Sequence, residues 1–154
     1  MERQIFIPDM ELIAKPNGTV EIAKRHKIVY NGWTIDIDPK PVPFISDGSS
    51  IPPMFYGLVC PKKTLIPGII HDWLYDTGEV WVDSRKYRIT RQQADMVWAD
   101  VVVHCVASTA IATLGYIGLR IGGWKAWNYY RKTDRVRKMH RLQKAESSAE
   151  RILQ

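Results

Sequence analysis

The chain of 154 residues is poor in cysteine and lacks the usual signatures of several catalytic classes. Its two cysteines, Cys60 and Cys105, cannot build a disulfide framework, so we expect free thiols in a reducing cytoplasm, with one bridge between them as the alternative. The opening MERQIFIPDM lacks the apolar run of a secretory leader. The sequence shows no phosphate-binding glycine loop, zinc cluster or nucleophilic serine elbow. No ready-made motif therefore predicts nucleotide, zinc or serine chemistry.

Acidic residues are scarce near the C-terminus, which makes that part of the chain basic. The formal net charge is +6. Residues 131–154 hold eight Lys or Arg against three Asp or Glu, a net +5, which leaves +1 for residues 1–130. We expect one domain at residues 1–128 and a basic helical tail at residues 129–154. The tail could bind an anionic membrane surface, nucleic acid or a partner protein, and a solvated helix face is the alternative.

Short β-branched or alternating runs fill the first part of the chain. They are QIFIP, MELIA, TVEIA, KIVY and WTIDI. The dipeptides Asn17-Gly18 and Asn31-Gly32 separate them, and such pairs tolerate the positive φ angles of a tight hairpin turn. Five prolines between residues 39 and 53 then forbid regular helix. The pattern predicts a small antiparallel sheet followed by an extended loop.

Helical patterns dominate the second half. One helix is predicted over about residues 64–76, and the polar stretch after it is expected to form a short hairpin. Thr90 and Gln93 form a capping box that starts a second helix, which we expect to run to about Leu119. A basic helix resumes at Trp124. The predicted fold class is α+β, with an N-terminal antiparallel hairpin sheet and proline-rich loop packed on an antiparallel helix pair, and a basic C-terminal helix.

Residues 101–119 form the longest apolar run, nineteen residues whose only readily ionised side chain is His104. This length is just sufficient to cross a bilayer. Asp100 and Arg120 flank the run, and small or hydroxylated residues recur within it, which favours a buried central helix. We expect burial, with a membrane span as the alternative.

The stretch LIPGIIHDWLYDTG places His71, Asp72 and Tyr75 in a largely apolar helix. Residues four apart share a helical face, so His71 and Tyr75 should lie together while Asp72 points about a quarter turn away. A histidine can act as a general base when a second group fixes its tautomer. Asp95, near the start of the next helix, is the predicted orienting group. A purely structural polar network is the alternative.

Four motifs, in this order, resemble an uncharacterised family spread through tailed-phage and prophage genomes. They are FISDGSSIP at 44–52, HDWLYD at 71–76, TRQQAD at 90–95 and GLRIGGWKAW at 118–127. The usual family pattern is F-x-T-D-x-A-S-x-P, H-D-x-L-Y, S-R-x-x-A-D and R-x-G-G-W, from which Ser46, Ser49 and Thr90 depart. The resemblance implies a phage-encoded protein, and it brings no established activity. With the reducing compartment expected from the cysteines, this predicts a location in the host cytoplasm.

The His-Asp helix is also similar to the centre of the secreted calcium-dependent phospholipases. That resemblance implies that His71 draws a proton from water, that Asp72 binds Ca²⁺, and that Tyr75 and Asp95 hold the histidine. In many of those enzymes a disulfide joins the positions that Leu74 and Ala94 occupy here. An apolar contact could replace this bridge.

Calcium is the only cofactor that the resemblance implies, and its loop is incomplete. The stretch FYGLVCP lacks the glycines that supply backbone oxygens in the phospholipases. The loop SDGSS could supply oxygens instead, from Asp47, Ser49 and Ser50, and a simple turn is the alternative for this segment. Ca²⁺ at Asp72 is therefore the one candidate cofactor, and no cofactor is the alternative.

Two classes of function follow from these patterns. In the first, the protein is a structural or assembly component of the phage, incorporated in the virion in contact with other phage proteins or with its own copies. In the second, it is a membrane-associated hydrolase that uses His71 as base on water against lipid esters of the host envelope. We place the first ahead, because the calcium loop is incomplete and resemblance to a fold does not confer chemistry.

Overall fold

A computed structural model describes residues 4–40, 43–48 and 63–133, which form an α+β fold and confirm the predicted class. The elements in chain order are β1 Ile5–Phe6, β2 Leu12–Ala14, β3 Val20–Ile22, β4 His26–Tyr30, β5 Trp33–Ile37, β6 Ile45–Ser46, α1 Leu65–Thr77, β7 Glu79–Val82, β8 Arg85–Arg88, α2 Arg91–Val106 and α3 Thr109–Gly122. A further helix, α4, covers residues 124–133 of the described chain.

The strands form two antiparallel sheets where the sequence predicted a single small one. The larger has the order β1-β4-β5-β7-β8 and the smaller the order β2-β3-β6. Asn31 and Gly32 turn β4 into β5 with φ angles of 46° and 82°, as the tight hairpin requires. The predicted second hairpin, β7 and β8, joins the same sheet where Thr34 pairs with Trp81. This long-range pairing has no local sequence signal.

The first helix matches its prediction closely. α1 ends at Gly78, which adopts the left-handed conformation with φ 62° and donates its backbone N–H to the Leu74 carbonyl oxygen. Glycine is favoured at this position because it has no Cβ to clash there. The predicted capping box of α2 is also present, since the Thr90 hydroxyl accepts from Gln93 N and the Gln93 side chain accepts from Thr90 N.

The predicted continuous helix from Thr90 to Leu119 is wrong. α2 ends where Ala107 adopts the left-handed conformation with φ 55°. α3 begins at once, because Ser108 serves as its N-cap and accepts a hydrogen bond from Ile111 N. The sequence did not predict this boundary, because a single serine between small residues in an apolar run is a weak helix-start signal.

The break divides residues 101–119 between two helices that pack on each other. No helix in the described part of the chain is both long enough and apolar enough to cross a membrane. The buried side of α3 packs on Trp98 of α2, where Gly115 leaves the space that the indole ring fills. A Cβ at Gly115 would lie only 2.1 Å from that ring.

The main core lies between the larger sheet and the helix pair formed by α1 and α2. Its fully buried members are Ile28, Ile35 and Ile37 from the sheet, Ile69, Ile70 and Leu74 from α1, and Ala94, Val97 and Val101 from α2. Leu74 and Ala94 therefore lie in one apolar cluster. α2 is the central helix, with this core on one side and α3 on the other.

Candidate functional site

A fully buried carboxylate, that of Asp95, joins three helices. Its Oδ1 accepts a hydrogen bond from the Tyr75 hydroxyl at 2.6 Å and lies 3.1 Å from Nε2 of His71. Its Oδ2 accepts from Nη1 of Arg120 at 2.9 Å, and Nη1 of Arg91 lies 3.8 Å away. α1, α2 and α3 therefore meet at one ionised group.

The contact with Asp95 assigns the protonation of the His71 ring. A carboxylate only accepts, so the hydrogen bond places a proton on Nε2 and leaves Nδ1 as the ring's acceptor. Within residues 4–40, 43–48 and 63–133, no group hydrogen-bonds to Nδ1. The ring lies 4.1 Å from that of Tyr75, centroid to centroid, on the shared helical face that the sequence predicted.

The electrostatics of the cluster keep Asp95 charged and Tyr75 neutral. Burial is the largest influence on Asp95 and opposes ionisation, but hydrogen bonds from His71, Tyr75 and Arg120 outweigh it and lower the pKa of the carboxyl. Burial, followed by the hydrogen bond to Asp95, raises the pKa of the Tyr75 hydroxyl. Tyr75 is therefore a permanent donor to a permanent anion at neutral pH.

Asp72 points away from this cluster and holds the proline-rich loop. Its Oδ2 accepts a hydrogen bond from the hydroxyl of Ser46 on β6, and the same hydroxyl oxygen accepts from Gly48 N at 2.9 Å. Gly68 of α1 permits this approach, because a Cβ there would lie 2.5 Å from the Gly48 carbonyl oxygen. Asp72 thus fastens the loop to α1 through Ser46.

The described residues around Asp72 do not by themselves complete a calcium site. Calcium takes about six to eight oxygen ligands in proteins. In the described part of the chain no group of three or more His, Cys, Asp or Glu residues could hold a metal, and the Asp72 carboxylate already accepts the Ser46 hydroxyl. Asp47 is exposed at the end of a described segment, while Ser49 and Ser50 lie outside the described residues.

Three residues of the site, Arg91, Arg120 and Gly123, were missed from the sequence, although all lie in motifs that the resemblance had identified. Arg120 is the only charged residue of α3 and turns inward to Asp95. Gly123 lies against Tyr75, since a Cβ there would be 2.4 Å from the hydroxyl oxygen. A lone arginine in an apolar helix was the available signal for an inward ion pair.

Arg131 of α4 closes the C-terminal end of α1. Its guanidinium donates to the carbonyl oxygens of Tyr75, Asp76 and Thr77. These are carbonyls that a helix end leaves without intrahelical partners. The guanidinium also lies 4.6 Å from the ring centroid of Trp127, which packs edge-on against Tyr75 at 5.2 Å. The start of the basic C-terminal segment is therefore attached to the site.

The fold and site define an α+β protein in which a His-Tyr helix face meets a buried aspartate on the neighbouring helix. The chain belongs to the family Protein of unknown function (DUF1353), which matches residues 25–119. The matched segment contains His71, Asp72, Tyr75 and Asp95 and ends one residue before Arg120. No curated protein and no solved structure matches the chain.

Proposed function

We propose that this protein is a hydrolase of lipid esters in which His71 is the general base on water. One observation carries the proposal: Asp95 Oδ1 holds both Nε2 of His71 and the Tyr75 hydroxyl, while no described group hydrogen-bonds to Nδ1. This is the arrangement that a catalytic histidine needs, because one ring nitrogen is fixed and the other can take a proton.

The proposed reaction uses Nδ1 of His71. It takes a proton from a water molecule as the water oxygen forms a bond to the ester carbonyl carbon. Asp95 stabilises the imidazolium that results, as an orienting carboxylate does in other histidine-dependent hydrolases. The tetrahedral intermediate then breaks its bond to the alkoxide, which takes the proton from Nδ1. The products are a carboxylic acid and an alcohol.

The remaining groups of the cluster have positioning roles in this proposal. Arg120 and Arg91 keep Asp95 ionised, so that it remains an acceptor for the Nε2 proton. Tyr75 fixes the carboxylate orientation through its short hydrogen bond. His71 is only 3% exposed, and burial strengthens its electrostatic interaction with Asp95.

A structural or assembly role in a phage particle is the second candidate. One observation favours it: both carboxylate oxygens of Asp95 accept hydrogen bonds, from His71 and Tyr75 at Oδ1 and from Arg120 at Oδ2. Fully satisfied buried networks rigidify a core without any catalytic role. The resemblance of the four motifs to those of a phage and prophage family supports a phage origin in both candidates. On this second account His71 is a tie between α1 and α2, and the protein is present in purified virions at a fixed copy number.

Fatty-acid release from phospholipid vesicles tests the hydrolase. We expect His71→Asn to lower the rate at least about a hundredfold, because general base catalysis contributes on that order. His104→Asn is the matched control, since His104 is exposed at the end of α2 and should retain the wild-type rate. Equal rates for wild type and His71→Asn would refute the hydrolase. A high copy number in purified virions together with an inactive wild type would establish the structural role.

A further inference from the structure

The outer face of α3 is exposed and mostly apolar. Its members, with Trp124 at the start of α4, are Ala110, Thr113, Leu114, Ile117, Ile121 and Trp124. Successive residues turn by about 100° around a helix axis, so the five from α3 lie on one side. The exposed fractions are 47% for Ile117, 73% for Ile121 and 51% for Trp124. We call this set the α3 stripe.

The stripe is distinct from the face of α3 that packs into the core. The opposite side of α3 is already buried, with Ala112 and Leu119 packed against Trp98 and Val102 of α2. A surface helix normally carries charged or polar residues on its outer side. α3 carries one charge, that of Arg120, and it is directed inward to Asp95. Contiguous exposed apolar surface of this kind marks an interaction site.

The charged side chains of the chain segment that carries the stripe are all basic. Residues 101–133 contain no Asp or Glu and four Lys or Arg, which are Arg120, Lys125, Arg131 and Lys132. Lys125 and Lys132 are exposed, and so is Tyr129, at 66%. Tryptophan and tyrosine favour the headgroup level of a bilayer, and lysine is attracted to anionic lipid. The stripe and its surroundings therefore complement an apolar surface edged by negative charge.

We propose that the α3 stripe seats the protein on the surface of an anionic lipid bilayer. α3 has 14 residues and is about 21 Å long, which is too short to span the hydrocarbon core. It would lie in the plane of the interface with Leu114, Ile117 and Ile121 directed into the lipid. Lys125 and Lys132 would then contact the headgroups. The inference goes beyond the proposed hydrolase, because binding requires neither His71 nor a reaction.

Co-sedimentation with vesicles tests the inference. Full-length protein is mixed with vesicles of equimolar phosphatidylglycerol and phosphatidylcholine, and with phosphatidylcholine vesicles alone. We expect Ile117→Glu/Ile121→Glu to lower partitioning to the anionic vesicles at least about tenfold, since two apolar side chains become charged. Phe6→Glu/Tyr87→Glu is the matched control, with two exposed apolar residues on β1 and β8 changed in the same way. Both double variants add two negative charges, which weaken the attraction to anionic lipid equally. Apart from this shared effect, Phe6→Glu/Tyr87→Glu should bind as the wild type does.

Several outcomes would overturn the inference. These are no binding by the wild type, equal binding by the two glutamate variants, or equal binding to neutral and anionic vesicles. A dimer in light scattering that Ile117→Glu/Ile121→Glu dissociates, without vesicle binding, would instead assign the stripe to contact between copies. The test is separable from the hydrolase, because His71→Asn should bind vesicles like wild type. In turn, Ile117→Glu/Ile121→Glu should still cleave a soluble short-chain ester if the hydrolase proposal holds.

Discussion

Gly123 and Tyr75 lie so close that the site leaves no room for a side chain at position 123. A Cβ there would be 2.4 Å from the Tyr75 hydroxyl oxygen and 2.7 Å from the Leu119 carbonyl oxygen. The φ angle of Gly123 is −69°, which any residue adopts, so the constraint is steric and not conformational. The hydroxyl that would be displaced is the one that holds Asp95.

Gly123→Ala should therefore lower the free energy of unfolding by about 1–3 kcal/mol, as overpacking against fixed atoms does. Gly122→Ala is the neighbouring control, because a Cβ at Gly122 meets nothing within 4 Å. That variant should be neutral or slightly stabilised, since alanine is the better helix former. Urea denaturation of both variants measures the difference. Equal stabilities would show that Tyr75 is not held against this glycine.

The ion pair between Arg120 and Asp95 is expected to stabilise the fold as well as the site. Arg120→Met retains the aliphatic stem but leaves the buried carboxylate with one strong donor fewer. We expect a loss of about 2 kcal/mol, less than for a fully buried pair, because the Arg120 side chain is 33% exposed. Lys125→Met removes an equivalent charge from an exposed position and should change little. Thermal or urea unfolding of the two variants provides the comparison, and similar losses would contradict the assignment.

Much of this site could be predicted from local sequence, and the reason is helical periodicity. The four-residue spacing of His71 and Tyr75 puts them on one face, and the capping box at Thr90 fixes where the next helix starts, which in turn places Asp95. Arg120 could not be placed in this way. Its position depends on the turn at Ala107 and Ser108, which folds α3 back along α2. The hydrophobic periodicity of the sequence does not predict this turn.

The sheet shows the same division between local and distant interactions. Asn31 and Gly32 identify their hairpin from composition alone, because few other residues accept two successive positive φ angles. The pairing of Thr34 with Trp81 joins segments separated by α1 and has no such signature. Strand order beyond a hairpin is decided by which apolar faces bury each other in the folded chain, and single residues do not encode it.

His26 should make the fold less stable at acidic pH. Its Nε2 accepts a hydrogen bond from Glu11 N at 3.2 Å, so protonation would remove the acceptor. Burial, assisted by the charge of Lys24, lowers the pKa of His26 below 6.5. The unfolded chain then binds the proton more readily than the folded one. The contribution of His26 to the free energy of unfolding is therefore fully present above about pH 6.5, the unfolded-state pKa. It is lost as the pH falls towards the folded-state pKa.

Unfolding free energies of wild type and His26→Gln, measured between pH 5 and 7.5, test this expectation. The glutamine retains a hydrogen-bond acceptor but does not titrate, so the decline attributable to His26 should be absent. His104→Gln, an exposed substitution of the same kind, should keep the wild-type pH dependence. A decline that persists unchanged in His26→Gln would assign it to other groups.

Calcium removal should have no effect on fold or rate. The Asp72 carboxylate accepts the Ser46 hydroxyl, and the described residues hold no cluster of three metal-ligating side chains. We expect the same melting temperature and the same fatty-acid release in millimolar calcium and in excess chelator, because a ligand that binds only the folded state would raise the melting temperature. A rate that requires calcium would contradict this expectation.

The central claim is that the imidazole of His71 performs the chemistry, and chemical rescue tests it most directly. His71→Ala deletes the ring and leaves a space bounded by Asp95 and Tyr75. Fatty-acid release from phospholipid vesicles is measured for this variant with and without added imidazole. The account predicts that His71→Ala loses the activity of the wild type and that imidazole restores part of it in a saturable manner. Release by His71→Ala at the wild-type rate, without imidazole, would contradict it.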